Sequence, residues 1–431
     1  MNYSHEPHGL FLMIDNKSFY ASVECVARGL NPLKAMLVVM SETANTGKGL
    51  VLAASPMAKK VLGISNVDRE YQVPRDPRLL IVPPRMNLYI EKNLTINQLF
   101  QEFAAPPQCW PYSIDESILD MTKSWHLFGK TPDEVALRIQ KTVHDRLGLY
   151  TTVGIGQNPL QAKLALDLFA KHSPNFRGTL TYRNFCDRVW PITDLTKVWS
   201  IGQRTAKHLH HLGIHSVGEL ARTNPYQLRS EMGVMGQQLY ALAWGIDRSQ
   251  LTAVPAVKNH SWSNSQVLPR DYNNEAEITV VLREITQQVV SRMRHHHQQA
   301  ACVSLWVGFS GRQASRGRSG FTHQCKIDPT DDSRTIVATV LAIFRQSWAG
   351  ETIRNLAVSL GQLSPATGQQ LSLFTPVARQ VKRAKFDHLV DQLRDQFGTN
   401  KVFYANSLLR GGTMLERAGL VGGHNGGNSF A

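Results

Sequence analysis

The first apolar run of the chain covers residues 10–14 and ends in a single carboxylate, Asp15. An uninterrupted apolar run of this length is typical of a buried strand. Ser18 follows and opens a predicted helix that carries Phe19 and Val23 on one face. An acid at the carboxyl end of a buried strand is a common place for chemistry in α/β sheets. Taken alone, however, Asp15 is explained equally well as a cap of the following helix.

A second informative stretch, residues 112–120, alternates apolar and polar positions and contains the adjacent acids Asp115 and Glu116. Alternation of this kind predicts a strand or hairpin. Strict alternation would point the two acids to opposite faces, so we expect them at a hairpin bend. Like charges close together repel each other, and a bound divalent cation removes that penalty. The pair therefore indicates a metal site whose third ligand would be Asp15.

Other apolar runs and capping signals predict strands and helices in alternation up to about residue 172. Ser55, Thr131 and Asn158 are each followed by proline, a pair that favours the start of a helix. The predicted strands cover 36–40, 50–54, 79–82 and 151–155, and the predicted helices start at 56, 86, 132 and 159.

The pattern changes in the second half of the chain. Residues 198–220 predict short helices joined by glycine turns, either a phosphate-binding helix-hairpin-helix or an ordinary helical hairpin. Residues 258–360 predict the order β-α-β-β-α-β. Six arginines and one acid lie between 283 and 318, which favours a phosphate-tracking surface over a merely solvated face. Three consecutive histidines, 295–297, cannot share one helix face, so we expect no metal site there.

Composition narrows the class of protein. A length of 431 residues predicts three or four domains, and a net charge of +14 indicates a polyanionic partner. A basic protein could equally bind an acidic membrane surface, but no apolar run approaches the ~20 residues of a membrane span, so we expect no membrane-spanning segment. The five cysteines are scattered without a Cys-x-x-Cys pair, which is typical of reduced thiols in a cytoplasmic protein.

Two segments together resemble a known family. Asp15 with residues 19–24 (Phe-Tyr-Ala-Ser-Val-Glu), and the Ser-Ile-Asp-Glu sequence at 113–116, are similar in order and spacing to the two motifs of Y-family translesion DNA polymerases. The resemblance implies an α+β multidomain fold shaped as a polymerase right hand. Its parts would be a split βαβ palm at 1–29 and 76–172, small fingers at 30–75, a helix-hairpin-helix thumb at 173–250, a βαββαβ little finger at 257–361, and a flexible tail at 362–431.

The same resemblance implies the chemistry. The reaction would be template-directed DNA synthesis by nucleotidyl transfer with two Mg²⁺ ions, including error-prone synthesis past damaged DNA in the SOS response. Asp15, Asp115 and Glu116 would be catalytic and would bind metal, with the backbone carbonyl of Asn16 as a further ligand. Tyr20 would be a steric gate against ribonucleotides.

Basic residues would hold the nucleotide and the DNA. By resemblance, Lys163 and either Lys59 or Lys60 would contact the triphosphate, while Pro56 stands where the family keeps a tyrosine. The predicted DNA contacts are Gly202, Arg204, Arg292, Arg294, Arg312, Arg316 and Arg318.

A short peptide after the little finger resembles the segment by which bacterial polymerases bind the ring-shaped sliding clamp. Its expected contact residues are Gln370, Leu371, Leu373 and Phe374. The expected partners are therefore primed and damaged template DNA, deoxynucleoside triphosphates and the sliding clamp, and the need for an accessory subunit stays open. Two alternatives are a catalytically silent protein that binds damaged DNA or the clamp, and another two-metal enzyme such as a nucleotide cyclase.

Overall fold

The structure is a computed structural model that describes residues 1–41, 49–253, 260–311, 317, 319–368 and 376–425. The chain separates into two compact units. The first comprises 1–40, 51–82 and 87–254, and the second comprises mainly 255–431 with the short pieces 41–50 and 83–86. Within the described ranges, no helix is long and apolar enough to cross a membrane.

The elements of the first unit follow the predicted alternation and then become helical. Its strands are β1 Phe11–Asn16, β2 Leu37–Ser41, β3 Leu50–Ala54, β4 Leu80–Val82, β5 Cys109–Pro111, β6 Glu116–Asp120, β7 Thr151–Gly156 and β8 Arg177–Thr179. Its helices are α1 Phe19–Val26, α2 Pro56–Leu62, α3 Met86–Phe100, α4 Pro132–Leu147, α5 Pro159–Leu168, α6 Tyr182–Val189, α7 Gln203–His211, α8 Val217–Arg222, α9 Pro225–Met232 and α10 Val234–Ala243.

A five-stranded sheet in the order β5-β6-β1-β7-β8 forms the centre of this unit. The central strand β1 pairs antiparallel with both β6 and β7, and its residues 12–14 are fully buried. Helix α5 packs directly on β7. A Cβ atom at Gly154 would lie 2.1 Å from the Ala162 carbonyl oxygen, and one at Gly156 would lie 2.3 Å from the Ala162 nitrogen. The two glycines therefore bring α5 close to the sheet.

A smaller sheet, in the order β3-β2-β4, packs with α2 in the predicted fingers. Ser55 caps α2 by accepting a hydrogen bond from the Ala58 N–H, and Pro56 takes the first helical position. The prediction that 79–82 is a buried strand was wrong in part, because Leu80 and Ile81 are exposed. The reason is that β4 pairs with β2 as an edge strand, so apolar composition alone did not place it inside.

The second unit contains the predicted β-α-β-β-α-β order. Its elements are β9 Trp262–Tyr272, α11 Glu275–His295, β10 Gln298–Phe309, β11 Gly320–Thr330, α12 Ser333–Ser347, β12 Ile353–Pro365, α13 Val377–Phe397, α14 Met414–Arg417, β13 Leu420–Val421 and β14 His424–Asn425. Strands β9 to β12 form one antiparallel sheet in the order β11-β10-β12-β9, and α11 and α12 share a core with it, whereas β13 and β14 pair with each other. The predicted flexible tail, 362–431, begins inside a strand, because β12 continues to Pro365.

The described part of the predicted flexible tail is folded. Helix α13 places Asp387 and Asp391 against α11, where both acids bind Arg294. The Arg294 Nε atom lies 2.7 Å from an Asp391 oxygen, and Ser291 donates a second hydrogen bond of 2.7 Å to the same carboxylate. Nearer the N-terminus of α11, Glu284 accepts hydrogen bonds from the backbone N–H and hydroxyl of Thr413. Polar contacts therefore hold residues 387–413 against α11.

Candidate active site

The two adjacent acids lie at a hairpin bend, as predicted. Strand β5 ends at Pro111 and β6 begins at Glu116, so Asp115 is the last residue of the bend. The Ser113 hydroxyl donates to the Asp115 carboxylate at 2.8 Å and accepts from the Glu116 N–H at 3.0 Å. The Asp115 carbonyl accepts hydrogen bonds from both the backbone N–H and the side-chain amide of Asn16. These bonds fix the bend to the end of β1.

Asp15 and Glu116 are direct partners in the β1–β6 pairing. Residues opposite each other on antiparallel strands have Cβ atoms about 5 Å apart, and like charges there are destabilising. Burial, with the nearby charges of Asp115 and Glu116, raises the pKa of Asp15 to about 6 despite the opposing effect of Lys171. The charged form of Asp15 is therefore disfavoured mainly because the side chain is buried, and in addition because Asp115 and Glu116 lie nearby.

Two lysines lie against these acids. Lys163 is 7% exposed, and its Nζ atom lies 2.7 Å from Glu116 Oε1 and 3.2 Å from an Asp167 oxygen. The Lys171 Nζ atom lies 2.9 Å from Asp167, 3.4 Å from Asp15 and 3.7 Å from Glu116. Burial alone would lower the pKa of Lys171, but the three acids together raise it above its usual value. Lys163, predicted to bind triphosphate, is paired with Glu116 in this structure.

A cavity of about 880 Å³ opens beside the acids. Three of the four predicted nucleotide-binding residues, Tyr20, Lys59 and Lys60, lie on its wall beside Pro56, whereas Lys163 is not among the lining residues. Its lining residues are Asp15, Asn16, Lys17, Ser18, Phe19, Tyr20, Leu52, Ala53, Pro56, Lys59, Lys60, Asn66, Ile114, Asp115, Glu116, Thr152, Lys171 and His172. Sequence reasoning missed Lys17 and Lys171, which together with Lys59 and Lys60 place four lysines on this wall.

The predicted gate residue has a rigid support. The Tyr20 ring stacks on Tyr89 with centroids 4.4 Å apart and an angle of 14°. Tyr89 is fully buried and donates a hydrogen bond of 2.8 Å to Glu24. Phe19 is almost fully buried, as expected for a core residue, although it also borders the cavity. Burial and the Asp115 charge raise the pKa of Tyr20, which is consistent with its place beside the acids.

The donor chemistry suits a hard divalent cation. Asp15, Asp115 and Glu116 supply carboxylate oxygens, and Asn16 Oδ1 is buried with no hydrogen-bond partner among the described residues. In the described ranges, no three His, Cys, Asp or Glu side chains converge so as to enclose a metal ion. The acids are instead paired with Lys163 and Lys171.

The predicted DNA contacts divide into three groups. Gly202 and Arg204 are exposed at the start of α7, and Arg292 is exposed on α11, so all three are accessible to DNA. The prediction that Arg294 contacts DNA was wrong, because the residue is 7% exposed and its guanidinium forms ion pairs with Asp387 and Asp391. The remaining predicted contacts lie outside the described residues, namely Arg312, Arg316 and Arg318 for DNA and Gln370, Leu371, Leu373 and Phe374 for the clamp.

The histidine triplet behaves as a set of separate side chains. His295 lies 2.8 Å from Asp395 and also bonds to the Ser291 carbonyl oxygen, and these two partners raise its pKa. His296 stacks on Trp262 with centroids 4.5 Å apart. His295 and His296 therefore have separate partners, a carboxylate for the first and an indole ring for the second.

Comparisons with known proteins find matches along most of the chain. The model of the impB/mucB/samB family matches residues 14–167, and the model of that family's C-terminal domain matches residues 259–373. UvrX of Bacillus subtilis (strain 168) is 38% identical over 98% of this chain and 99% of its own length. DNA polymerase IV 2 of the same organism is 35% identical over 96% of this chain and 98% of its own length.

Solved structures share the fold. A Y-family DNA polymerase chimera of Dbh and Dpo4 matches with a TM-score of 0.65 and 21% identity, covering 82% of this chain and 98% of the chimera. An insertion ternary complex of Dbh DNA polymerase matches with a TM-score of 0.52 and 20% identity. These findings confirm the predicted α+β polymerase fold. The chain belongs to the impB/mucB/samB family, the Y-family translesion DNA polymerases, and within it resembles the UvrX type.

Proposed function

We propose that the chain extends the 3′ end of a primer on a DNA template by nucleotidyl transfer, and continues past damaged bases in the DNA-damage (SOS) response. One observation carries the proposal: Asp15, Asp115 and Glu116 meet at one end of the sheet and face a cavity lined with cations. Transfer of a nucleotide crowds negative charge on phosphate oxygens, so positioning and cation stabilisation supply most of the catalysis.

The acids would hold two Mg²⁺ ions together with the backbone carbonyl of Asn16. Bound there, the ions would supply the charge that activates the primer 3′-oxygen and neutralises the triphosphate. The raised pKa of Asp15 supports this assignment, because a carboxylate that is costly to ionise alone becomes favourable beside a cation.

The lysines near the acids would have two different roles. Lys171, Lys59 and Lys60 line the cavity and would bind triphosphate oxygens. Lys163 would hold Glu116 in position through its 2.7 Å ion pair. Pro56 on the cavity wall offers no hydroxyl, so these lysines would supply the phosphate contacts that a tyrosine makes elsewhere in the family.

The Tyr20 ring would exclude ribonucleotides by occupying the space of a 2′-hydroxyl. Its support by Tyr89 favours this role, since a steric filter needs a side chain that cannot swing away. A change of rotamer at Tyr20 would separate the two stacked rings.

Segments outside the acid cluster would bind DNA and the sliding clamp. Exposed residues at the start of α7 and on α11 would contact the DNA backbone, and the net charge of +14 suits that partner. The segment 370–374 would bind the bacterial sliding clamp as an extended peptide. We place the activity in the cytoplasm, where the free cysteines would stay reduced. The relative UvrX carries a name that refers to UV-damage repair, which supports a role on damaged templates.

The test is primer extension with deoxynucleotides and Mg²⁺ on two templates that differ only by one lesion. The protein should extend the primer on the undamaged template and should insert nucleotides opposite the lesion. Extension that stops at the lesion would remove the translesion part of the proposal alone. A complete lack of extension on both templates would remove the polymerase assignment and favour a silent DNA-binding protein.

A further inference from the structure

Two exposed aromatic side chains meet at the edge of the catalytic hairpin. Tyr112 is 43% exposed in the bend that leads to Asp115, and Trp199 is 36% exposed just before α7. The Trp199 indole N–H donates a hydrogen bond of 3.3 Å to the Tyr112 hydroxyl, across 87 residues of sequence. The contact joins the palm hairpin to the helical module, and both residues belong to the same compact unit.

The backbone conformation around Trp199 directs this side chain toward solvent. Val198 and Ile201 on either side are buried in the core of the helical module. Ser200 between them has φ = 74°, in the left-handed region that residues other than glycine seldom adopt. The Ile201 N–H closes the turn on the Val198 carbonyl at 3.0 Å. The indole is therefore held at the surface by buried neighbours on both sides.

Tyr112 is linked to the catalytic acid by two routes. Its backbone N–H donates to the Glu116 carbonyl at 2.9 Å. Its ring lies 5.6 Å from the Lys163 Nζ atom, within cation–π range, and that atom is 2.7 Å from Glu116 Oε1. A displacement of the Tyr112 ring would therefore affect the position of Glu116 through the backbone hydrogen bond and through Lys163.

We propose that Tyr112 and Trp199 form an aromatic bridge that binds the 3′-terminal nucleotide of the primer strand and positions it beside Glu116. The inference rests on the proposed function, because it takes the acid cluster to be the polymerase site. The bridge lies on the hairpin that carries Asp115 and Glu116, and the primer end must approach these acids for its 3′-oxygen to react. Tyr112 and Trp199 are thus positioning residues, distinct from the acids themselves.

The chemistry of the bridge suits a nucleic-acid end. Aromatic rings that stay exposed beside basic residues are a common platform for sugars and bases, and stacking there does not depend on sequence. The mutual hydrogen bond fixes both rings before DNA arrives, which lowers the entropy lost on binding. Each stacked base contributes about 1 to 3 kcal/mol, or about fivefold or more in affinity.

The experiment compares DNA binding by the full-length protein and four variants: Tyr112→Ala, Tyr112→Phe, Trp199→Ala and Trp199→Phe. The dissociation constant is measured by fluorescence anisotropy for a primed template and for the same template strand without primer. Each alanine variant should raise the constant for primed DNA by about fivefold or more, and that for the single strand by less than about twofold. Single-turnover nucleotide incorporation should slow in the same variants.

The phenylalanine variants separate positioning from packing. Both keep a ring and remove the same hydrogen bond, so the double variant Tyr112→Phe/Trp199→Phe should lose no more affinity than either single variant. Leu127→Ala is the matched control, since this exposed residue follows the opposite end of β6. It should leave both dissociation constants unchanged.

Three results would overturn the bridge: unchanged binding of primed DNA by the alanine variants, equal losses on primed and unprimed DNA, or additive losses in the double phenylalanine variant. Thermal unfolding of every variant shows whether a loss reflects misfolding. If Tyr112→Ala does not fold, the two phenylalanine variants and their double variant decide the question. Failure of the wild-type protein to extend any primer would count against the proposed function, while the binding comparison would still be readable.

Discussion

Replacing Asp15 by Asn should stabilise the metal-free palm sheet at neutral pH while it abolishes nucleotide transfer. Asp15 faces Glu116 across the strand pair, and Asp115 lies nearby, so its negative charge is unfavourable in the absence of cations. Asparagine has nearly the same shape and no charge. Stability should therefore increase while activity is lost, as expected for a carboxylate whose role is to bind metal cations.

The magnitude follows from the pKa of Asp15. Its value of about 6 in the folded protein is above the ordinary value of about 3.9, so the folded state binds this proton more tightly than the unfolded state. The stabilising contribution of the protonated carboxyl is fully present below about pH 4 and is lost as the pH rises through about 6. At pH 7.5 the charged carboxylate costs about 1 to 3 kcal/mol, because each pKa unit corresponds to about 1.4 kcal/mol.

Hydrogen exchange measured by mass spectrometry on peptides covering β1 and β6 is the appropriate assay, because a chain with two compact units need not unfold in one step. In EDTA at pH 7.5, the opening free energy should be about 1 to 3 kcal/mol higher in Asp15→Asn than in the wild type. The difference in opening free energy between the variant and the wild type should become smaller near pH 4.5. Added Mg²⁺ should slow hydrogen exchange of these peptides only in the wild type. Asp120→Asn at the far end of β6 is the control. A variant that is less protected at pH 7.5, or a gap independent of pH, would refute the reasoning.

Four further predictions follow from particular contacts. Tyr20→Ala should allow ribonucleotide incorporation, and unchanged discrimination in single-nucleotide assays would reject the gate. Lys171→Met should raise the KM for deoxynucleotides about tenfold or more, by loss of a charged phosphate contact, and a change in kcat alone would contradict that role. Arg294→Met should leave two buried acids unpaired and expose α13 to hydrogen exchange, at a cost of about 3 to 5 kcal/mol; unchanged protection of α13 would contradict this. Changing Leu373 and Phe374 to Ala should abolish stimulation by the sliding clamp, and persistent stimulation would exclude the peptide.

The sequence located the acids because their signals are local. A buried apolar run ending in Asp15 and an alternating stretch broken by two acids each predict a strand end without knowledge of neighbours. The structure brings these ends together through the β1–β6 pairing, which the spacing of two family motifs had implied. The hairpin bend was likewise predictable, since strict alternation could not place Asp115 and Glu116 at one site.

Lys171 was missed because it follows the predicted helix and lies in a short 3₁₀ turn, 170–172. A signal was nevertheless available. Lys163, Asp167 and Lys171 are spaced four residues apart, the spacing that aligns side chains along a helix. The ion pairs of Asp167 with both lysines show that this alignment extends beyond the end of α5.

The interpretation of Arg294 failed for a different reason. A run of arginines predicts a basic surface, but which members face inward depends on what packs against the helix. Here α13 covers Arg294 with two acids one helical turn apart, Asp387 and Asp391. That docking is a long-range contact between segments about 90 residues apart, and the pattern of α11 alone does not encode it.

The most direct measurement of the central claim is single-nucleotide incorporation on an undamaged primed template, with Mg²⁺ titrated, by the wild type and the variants Asp115→Asn, Glu116→Gln and Asp120→Asn. The acids at the hairpin are predicted to be required, so the first two variants should lose incorporation by about a hundredfold or more. Asp120→Asn changes the same strand at its far end and should retain wild-type incorporation. Undiminished incorporation by Asp115→Asn and Glu116→Gln would contradict the assignment of this site.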